Sequence, residues 1–165
     1  NPWMQESSNK IIQAGEIVSF DTDMVGPYGY CADISRTYVE GNKFSESQKK
    51  LYLMAVEQIN HNSRLIKPGI SFKEFIQKSW VLPEEYFGNR YSVMVHGIGL
   101  CDEWPAIRYP TDGGERSGVF ETNMTITVES YIGKVGGKEG VKLEQQYLVG
   151  QNSLELMSHH PLEDI

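Results

Sequence analysis

Residues 20–38 read F-D-T-D-M-V-G-P-Y-G-Y-C-A-D-I-S-R-T-Y, and their interpretation decides the rest of the chain. Two β-like runs flank a Gly-Pro-Tyr-Gly turn and between them carry Asp21, Asp23 and Asp33. Side chains alternate along a strand, so Asp21 and Asp23 are expected on one face, and a hairpin through the turn returns Asp33 beside them. Three carboxylates in one small volume repel unless a positive charge lies among them, and a divalent cation is the simplest such charge. A solvated acidic edge strand satisfies the same pattern. The choice rests on whether further ligands follow.

They do. His96 closes a β-like run at 91–95, Glu129 sits inside T-I-T-V-E-S-Y, and Glu144 sits inside V-K-L-E-Q-Q-Y. Strand-borne carboxylates among apolar neighbours are costly to bury unless paired or metal-bound, so successive strands carrying one each favour a metal over a solvated surface.

Around these residues the pattern is α+β, mainly antiparallel strands covered by helices. A strand is predicted over 17–23 and a returning arm over 28–39. Ser45 with Gln48 three residues on forms a capping box for a helix whose Leu51, Ala55, Val56, Ile59 and Ile66 recur near helical period, until Pro68-Gly69 stops it. Ser71 with Glu74 opens a shorter helix carrying Phe72, Phe75, Ile76 and Trp80 toward the core. Residues 101–117 are expected to be a long loop bordering a site. Two further strands are predicted over 125–132 and 141–149, joined by a Gly-Lys-rich turn. His61, on the first helix, and the terminal pair His159-His160 are expected to lie outside any ligand set.

The composition bounds the function. The chain has 165 residues, 22 acidic and 15 basic, for a net charge of −7, with no basic stretch, so nucleic acid and anionic membrane are not expected partners. No run approaches the about 20 apolar residues of a membrane span. Cys31 and Cys101 follow no zinc or disulfide spacing, and free thiols fit a reducing cytoplasm.

The combination of F-D at 20–21, Y-C-A-D-I-S-R-T at 30–37, H-G-I-G-L at 96–100, T-V-E at 127–129 and G-V-K-L-E at 140–144 resembles the superfamily of methionine aminopeptidase, aminopeptidase P, prolidase and creatinase. The resemblance implies the pita-bread fold and a pair of divalent metal ions held by Asp21, Asp33, His96, Glu129 and Glu144. It also implies that 1–165, with its motifs over 15–150, is the carboxy-terminal part of a metal-binding catalytic domain whose relatives carry an amino-terminal domain before this point. Relatives commonly form homodimers.

Three departures narrow the resemblance. Asp23 stands where the peptidases usually have glycine and offers a sixth ligand; C-D-E-W-P at 101–105 replaces the usual histidine-bearing continuation of H-G-x-G-L; and Gln145 replaces a carboxylate. With these, the chain looks like the DddP-type dimethylsulfoniopropionate lyases, which split their substrate into dimethyl sulfide and acrylate. That likeness implies iron as the metal, with manganese, cobalt or zinc equally compatible with oxygen and nitrogen ligands. It points to Asp102 as the catalytic base of a β-elimination. A zwitterionic sulfonium substrate calls for aromatic faces, for which Tyr91, Trp104 and Tyr131 are the candidates, and Lys142 alternates onto the face of Glu144. The alternatives are an Xaa-Pro peptidase or creatinase-like hydrolase, and a non-catalytic binding module on the same fold.

Overall fold

The computed structural model describes residues 8–114, 117–163 and 165. Its centre is the long antiparallel pair β7 (Thr125–Gly133) and β8 (Gly140–Val149), in which Glu129 and Glu144 stand directly opposite each other. Opposed residues share a face. One face of the pair therefore presents Thr127, Glu129 and Tyr131 with Lys142, Glu144 and Gln146, and the other presents Ile126, Val128, Ser130 and Ile132 with Val141, Leu143 and Gln145. β5 (Val93–Gly97) adds to β7, placing His96 opposite Thr127 and so on the acidic face. With β6 (Ala106–Arg108) and β9 (Leu154–Leu156) the described residues form a five-stranded antiparallel sheet in the order β6-β5-β7-β8-β9.

The apolar face is closed by α1 (Glu46–Leu65) and α2 (Phe72–Lys78). Both begin as their caps dictate. Ser45 accepts from the Gln48 N–H at 3.2 Å while the Gln48 side chain accepts from the Ser45 N–H at 2.8 Å, and Ser71 accepts from the Glu74 N–H at 3.0 Å. α1 buries Tyr52, Ala55 and Ile59, and burial of a large apolar side chain contributes roughly 1.5–3 kcal/mol. Gln58, on the same face, is pinned to the sheet by Ser130 Oγ, which donates to it at 2.6 Å, and itself donates to the Tyr109 hydroxyl at 2.5 Å. That fixes the helix against the strand carrying Glu129. α1 ends at Leu65, because Ile66 is already extended ahead of Pro68. α2 ends at Lys78, and a short α3 (Glu84–Phe87) follows Pro83.

The acidic face is covered by the arm built from the opening stretch. β1 (Ile17–Asp21) pairs with β4 (Ser35–Val39), and β2 (Met24–Val25) pairs with β3 (Cys31–Ala32) around a 3-10 turn at Pro27–Gly29. The predicted strands over 17–23 and 28–39 are thus each broken, at Thr22-Asp23 and at Asp33-Ile34. The cause is local side-chain bonding that displaces the ladder. Thr22 Oγ1 accepts from the Ile34 N–H at 3.0 Å, and Asp33 Oδ1 accepts from the Asp23 N–H at 3.3 Å. Asp23 takes a positive φ of 33°, so simple alternation from Asp21 no longer applies.

β4 runs beside β8, whose edge β9 covers only at Tyr147–Val149. The uncovered backbone groups are met by side chains: Thr37 Oγ1 donates to the Lys142 carbonyl at 2.6 Å and accepts from its N–H at 3.1 Å, and Arg36 donates to the Glu144 carbonyl at 2.6 Å. β6, inside the 101–117 segment expected to be a loop, and β9, in the tail, exist because β5 and β8 offer them open edges. No helix among the described residues is long and apolar enough to cross a membrane.

Candidate metal centre

On the acidic face, one ligand atom from each of Asp33, His96 and Glu144 lies within 4.8 Å of the others, and all three residues are buried. A second group, Asp23, Asp33 and Asp102, meets the same separation. Asp33 belongs to both, so its carboxylate stands between two potential ion positions.

Each residue is aimed by its element. His96 Nε2 lies 3.1 Å from Glu144 Oε1, 3.7 Å from Glu129 Oε1 and 3.9 Å from Asp33 Oδ2. Lys142 Nζ bonds Glu129 Oε2 at 2.6 Å and Glu144 Oε2 at 3.1 Å, and lies 3.6 Å from Asp21 Oδ2. The expected ligands Asp21 and Glu129 fall in neither group; Glu129 is buried beside His96, and Asp21 is exposed and held by Ser35 Oγ, which lies 2.7 Å from Asp21 Oδ1 and 2.9 Å from Glu144 Oε2. Asp102 reaches the group from the loop after β5, its Oδ1 accepting from the Glu103 N–H at 3.0 Å.

The electrostatics follow from burying more acid than base. Asp33 is pushed up to about 8 by burial and then by the charges of Glu144, Asp21 and Asp23. Glu129 is pushed up to about 8, where burial outweighs the pull of Lys142 and His96. Asp23, exposed at the rim, is raised by partial desolvation of its carboxylate and then by the charge of Asp21. Glu144 goes the other way: burial would raise it, but Lys142 and the His96 ring hold it well below the usual carboxylate range. Burial would lower His96, yet its bond to Glu144 and the charges of Glu129 and Glu144 push it up to about 10. Lys142, likewise opposed by burial, is driven well above its ordinary value by Glu129 and Glu144.

These residues fit a divalent cation. The donors are carboxylate oxygens and one imidazole, and the buried Oε1 of Glu129 has no hydrogen-bond partner although it faces His96. An orphaned buried carboxylate oxygen calls for an ion or a solvent partner. Among the buried residues of the site the acids Asp33, Glu129 and Glu144 outnumber Lys142 and His96, with Asp21 and Asp23 exposed at the rim, and a cation would supply the missing charge.

The aromatic candidates are spread out. Tyr91 turns its ring toward Lys142, whose Nζ is 5.1 Å from the ring centroid, and its hydroxyl donates to Glu103 at 3.0 Å. Trp104 is exposed on the loop that carries Asp102. Tyr131 is buried with its phenol over Gly133 and Gly140, at the hairpin end of the pair. Outside the centre, His61 bonds the Lys78 carbonyl, and His160 bonds the Tyr38 hydroxyl. Gln145 lies on the opposite face from Glu144 and accepts from Arg36 at 2.7 Å and Ser158 at 2.6 Å.

Sequence reasoning passed over Ser35, which pairs directly opposite Asp21 and so shares its face. It also passed over Gln146, whose Oε1 accepts from the Asp33 N–H at 3.2 Å. Glu103 gave no signal beyond adjacency to Asp102.

A family model for metallopeptidase family M24 matches residues 1–151. The chain belongs to that family. M24 enzymes depend on metal, and their members among solved structures share the pita-bread fold found here. A prolidase from Pyrococcus horikoshii superposes with a TM-score of 0.77 at 27% identity, over 96% of this chain and 44% of its own. A dipeptidase from the same organism gives a TM-score of 0.79 at 25% identity, over 99% and 44%. In sequence, the dimethylsulfoniopropionate lyase DddP of Roseovarius nubinhibens is 39% identical over 99% of the chain, and that of Roseobacter denitrificans is 38% identical over 99%. The chain spans 37% of the length of these two relatives.

Proposed function

We propose that this M24 protein is a metal-dependent carbon–sulfur lyase that cleaves dimethylsulfoniopropionate to dimethyl sulfide and acrylate. The observation that carries the reading is the similarity to two DddP lyases over 99% of the chain, at 39% and 38% identity. The prolidase-like structures give 27% and 25% identity. Asp102 meets Asp23 and Asp33 from a loop, and in this reading the other carboxylates and His96 hold the ions while Asp102 stays unligated beside them to act on the substrate.

The chemistry sets the roles. β-Elimination removes a proton from the carbon α to the substrate carboxylate, forms the carbon–carbon double bond, and breaks the bond from the β carbon to sulfur, whose electron pair leaves with neutral dimethyl sulfide. Asp102 takes the proton and passes it to solvent. Negative charge builds on the substrate carboxylate during this step. Two divalent ions, when bound by Asp21, Asp23, Asp33, His96, Glu129 and Glu144, would spread that charge by Lewis acidity, with iron, manganese, cobalt or zinc each compatible with the donor set. Lys142 orients Glu129 and Glu144, and Ser35 orients Asp21 and Glu144. The sulfonium of this small zwitterionic substrate is a permanent cation, and Trp104 offers it an exposed indole face, while the Tyr91 ring already faces an ammonium.

The test is direct. Metal-loaded protein is incubated separately with dimethylsulfoniopropionate and with an Xaa-Pro dipeptide. Dimethyl sulfide in the headspace with no dipeptide cleavage is expected. Dipeptide hydrolysis without dimethyl sulfide would replace the lyase with a prolidase-like hydrolase.

A further inference from the structure

The reaction assigns no task to Glu103, yet this residue is bonded in two directions. Its main-chain N–H donates to Asp102 Oδ1 at 3.0 Å, and its carboxylate accepts from the Tyr91 hydroxyl at 3.0 Å. The Tyr91 ring lies against Lys142, which in turn bonds Glu129 and Glu144. A continuous set of contacts therefore joins the loop bearing Asp102 to the strand residues of the acidic face.

The loop needs such a tether. Leu100, Cys101, Glu103 and Trp104 are exposed, so little apolar burial holds the segment down. Glu103 itself has a φ of 56°, in the left-handed region that non-glycine residues rarely adopt, so the backbone here is held rather than relaxed. Burial and then the charges of Glu129 and Glu103 push the Tyr91 phenol up, so its hydroxyl remains a donor across the working pH range. Tyr91 sits two residues before β5, the strand that carries His96, and so joins the sheet on the side of β5 away from the Asp102 loop.

We propose that Glu103 is a positioning residue that latches the Asp102 loop to the metal-bearing sheet through the Tyr91 hydroxyl. The latch sets where Asp102 stands relative to Asp23 and Asp33. The catalytic part of this inference rests on the lyase reading with Asp102 as base.

Four variants of the metal-loaded protein test it: Tyr91→Phe, Glu103→Ala, the double variant and Glu103→Gln. Hydrogen exchange of the amides over 99–104 reports the latch without reference to activity. Loss of one hydrogen bond should make exchange about three- to tenfold faster in Tyr91→Phe and in Glu103→Ala. In dimethyl sulfide release, kcat should fall about ten- to a hundredfold with KM little changed, since misplacing a catalytic group costs that order of rate. The double variant should be no worse than either single one. Glu103→Gln, whose amide oxygen still accepts from the phenol, should recover most of both readouts. Unchanged exchange in both single variants, or losses that multiply in the double variant, would overturn the latch. If wild-type protein releases no dimethyl sulfide, the lyase reading fails while the exchange data still decide the latch.

Discussion

A Cβ added to Gly97 would stand 2.8 Å from the carbonyl carbon of Trp104 and closer still to its oxygen. The glycine after His96 is therefore set by the returning loop, which passes directly over it and accepts the Gly97 N–H at the Pro105 carbonyl, 3.0 Å away. Because the opposing atoms are backbone, no side-chain rotation relieves the clash. Gly97→Ala should push the Asp102 loop off β5, lowering stability by about 1–3 kcal/mol by denaturant titration and turnover by at least about tenfold.

Asp23 has a carboxylate in the second group of potential ligands. Asp23→Ala should lower the metal content measured by elemental analysis while leaving the fold intact by circular dichroism. Unchanged metal content would place Asp23 outside the ligand set.

Lys142 balances three acids, so Lys142→Met removes the ammonium and leaves Glu129 and Glu144 without their bonded cation. Breaking a buried pair in this way costs about 3–5 kcal/mol. The loss should be large in metal-free protein and smaller after metal loading, because bound metal replaces part of the lost charge. Equal losses in the two states would contradict this account of the electrostatics.

The pH dependence has a definite sign. Asp33 and Glu129, both raised to about 8, favour the protonated form in the folded metal-free protein, so the stability they contribute is full below their ordinary carboxylate range and falls as pH rises toward 8. His96, raised to about 10, adds a further decline between its ordinary value and 10. Metal-free protein should melt lower at pH 8 than at pH 5, and the rise in Tm on adding metal should grow across that interval, with protons released on binding. A metal-induced shift that shrinks with pH would reverse the assignment.

Part of the site was legible because β7 and β8 are regular strands: in the register they adopt, Glu129 and Glu144 stand opposite each other on one face, and His96 joins that face from the neighbouring strand. The helix starts were legible because Ser45 with Gln48 and Ser71 with Glu74 are local signals. The kink at Asp23 and Asp33 was not, because it arises where Thr22 and Asp33 side chains capture backbone N–H groups that a continuous ladder would have used. β6 and β9 were missed for a different reason, since their formation depends on edges supplied by distant strands. The direction of the Tyr91 ring, toward Lys142 and Glu103, is likewise a tertiary outcome with no local signature.

The central claim is that Asp102 takes the α proton beside the metal-bearing face. Asp102→Asn keeps the size of the side chain and removes its basicity. Dimethyl sulfide release by this variant, normalised to a metal content equal to wild type, should fall by about 10²–10⁴-fold. Release at the wild-type rate would contradict the account.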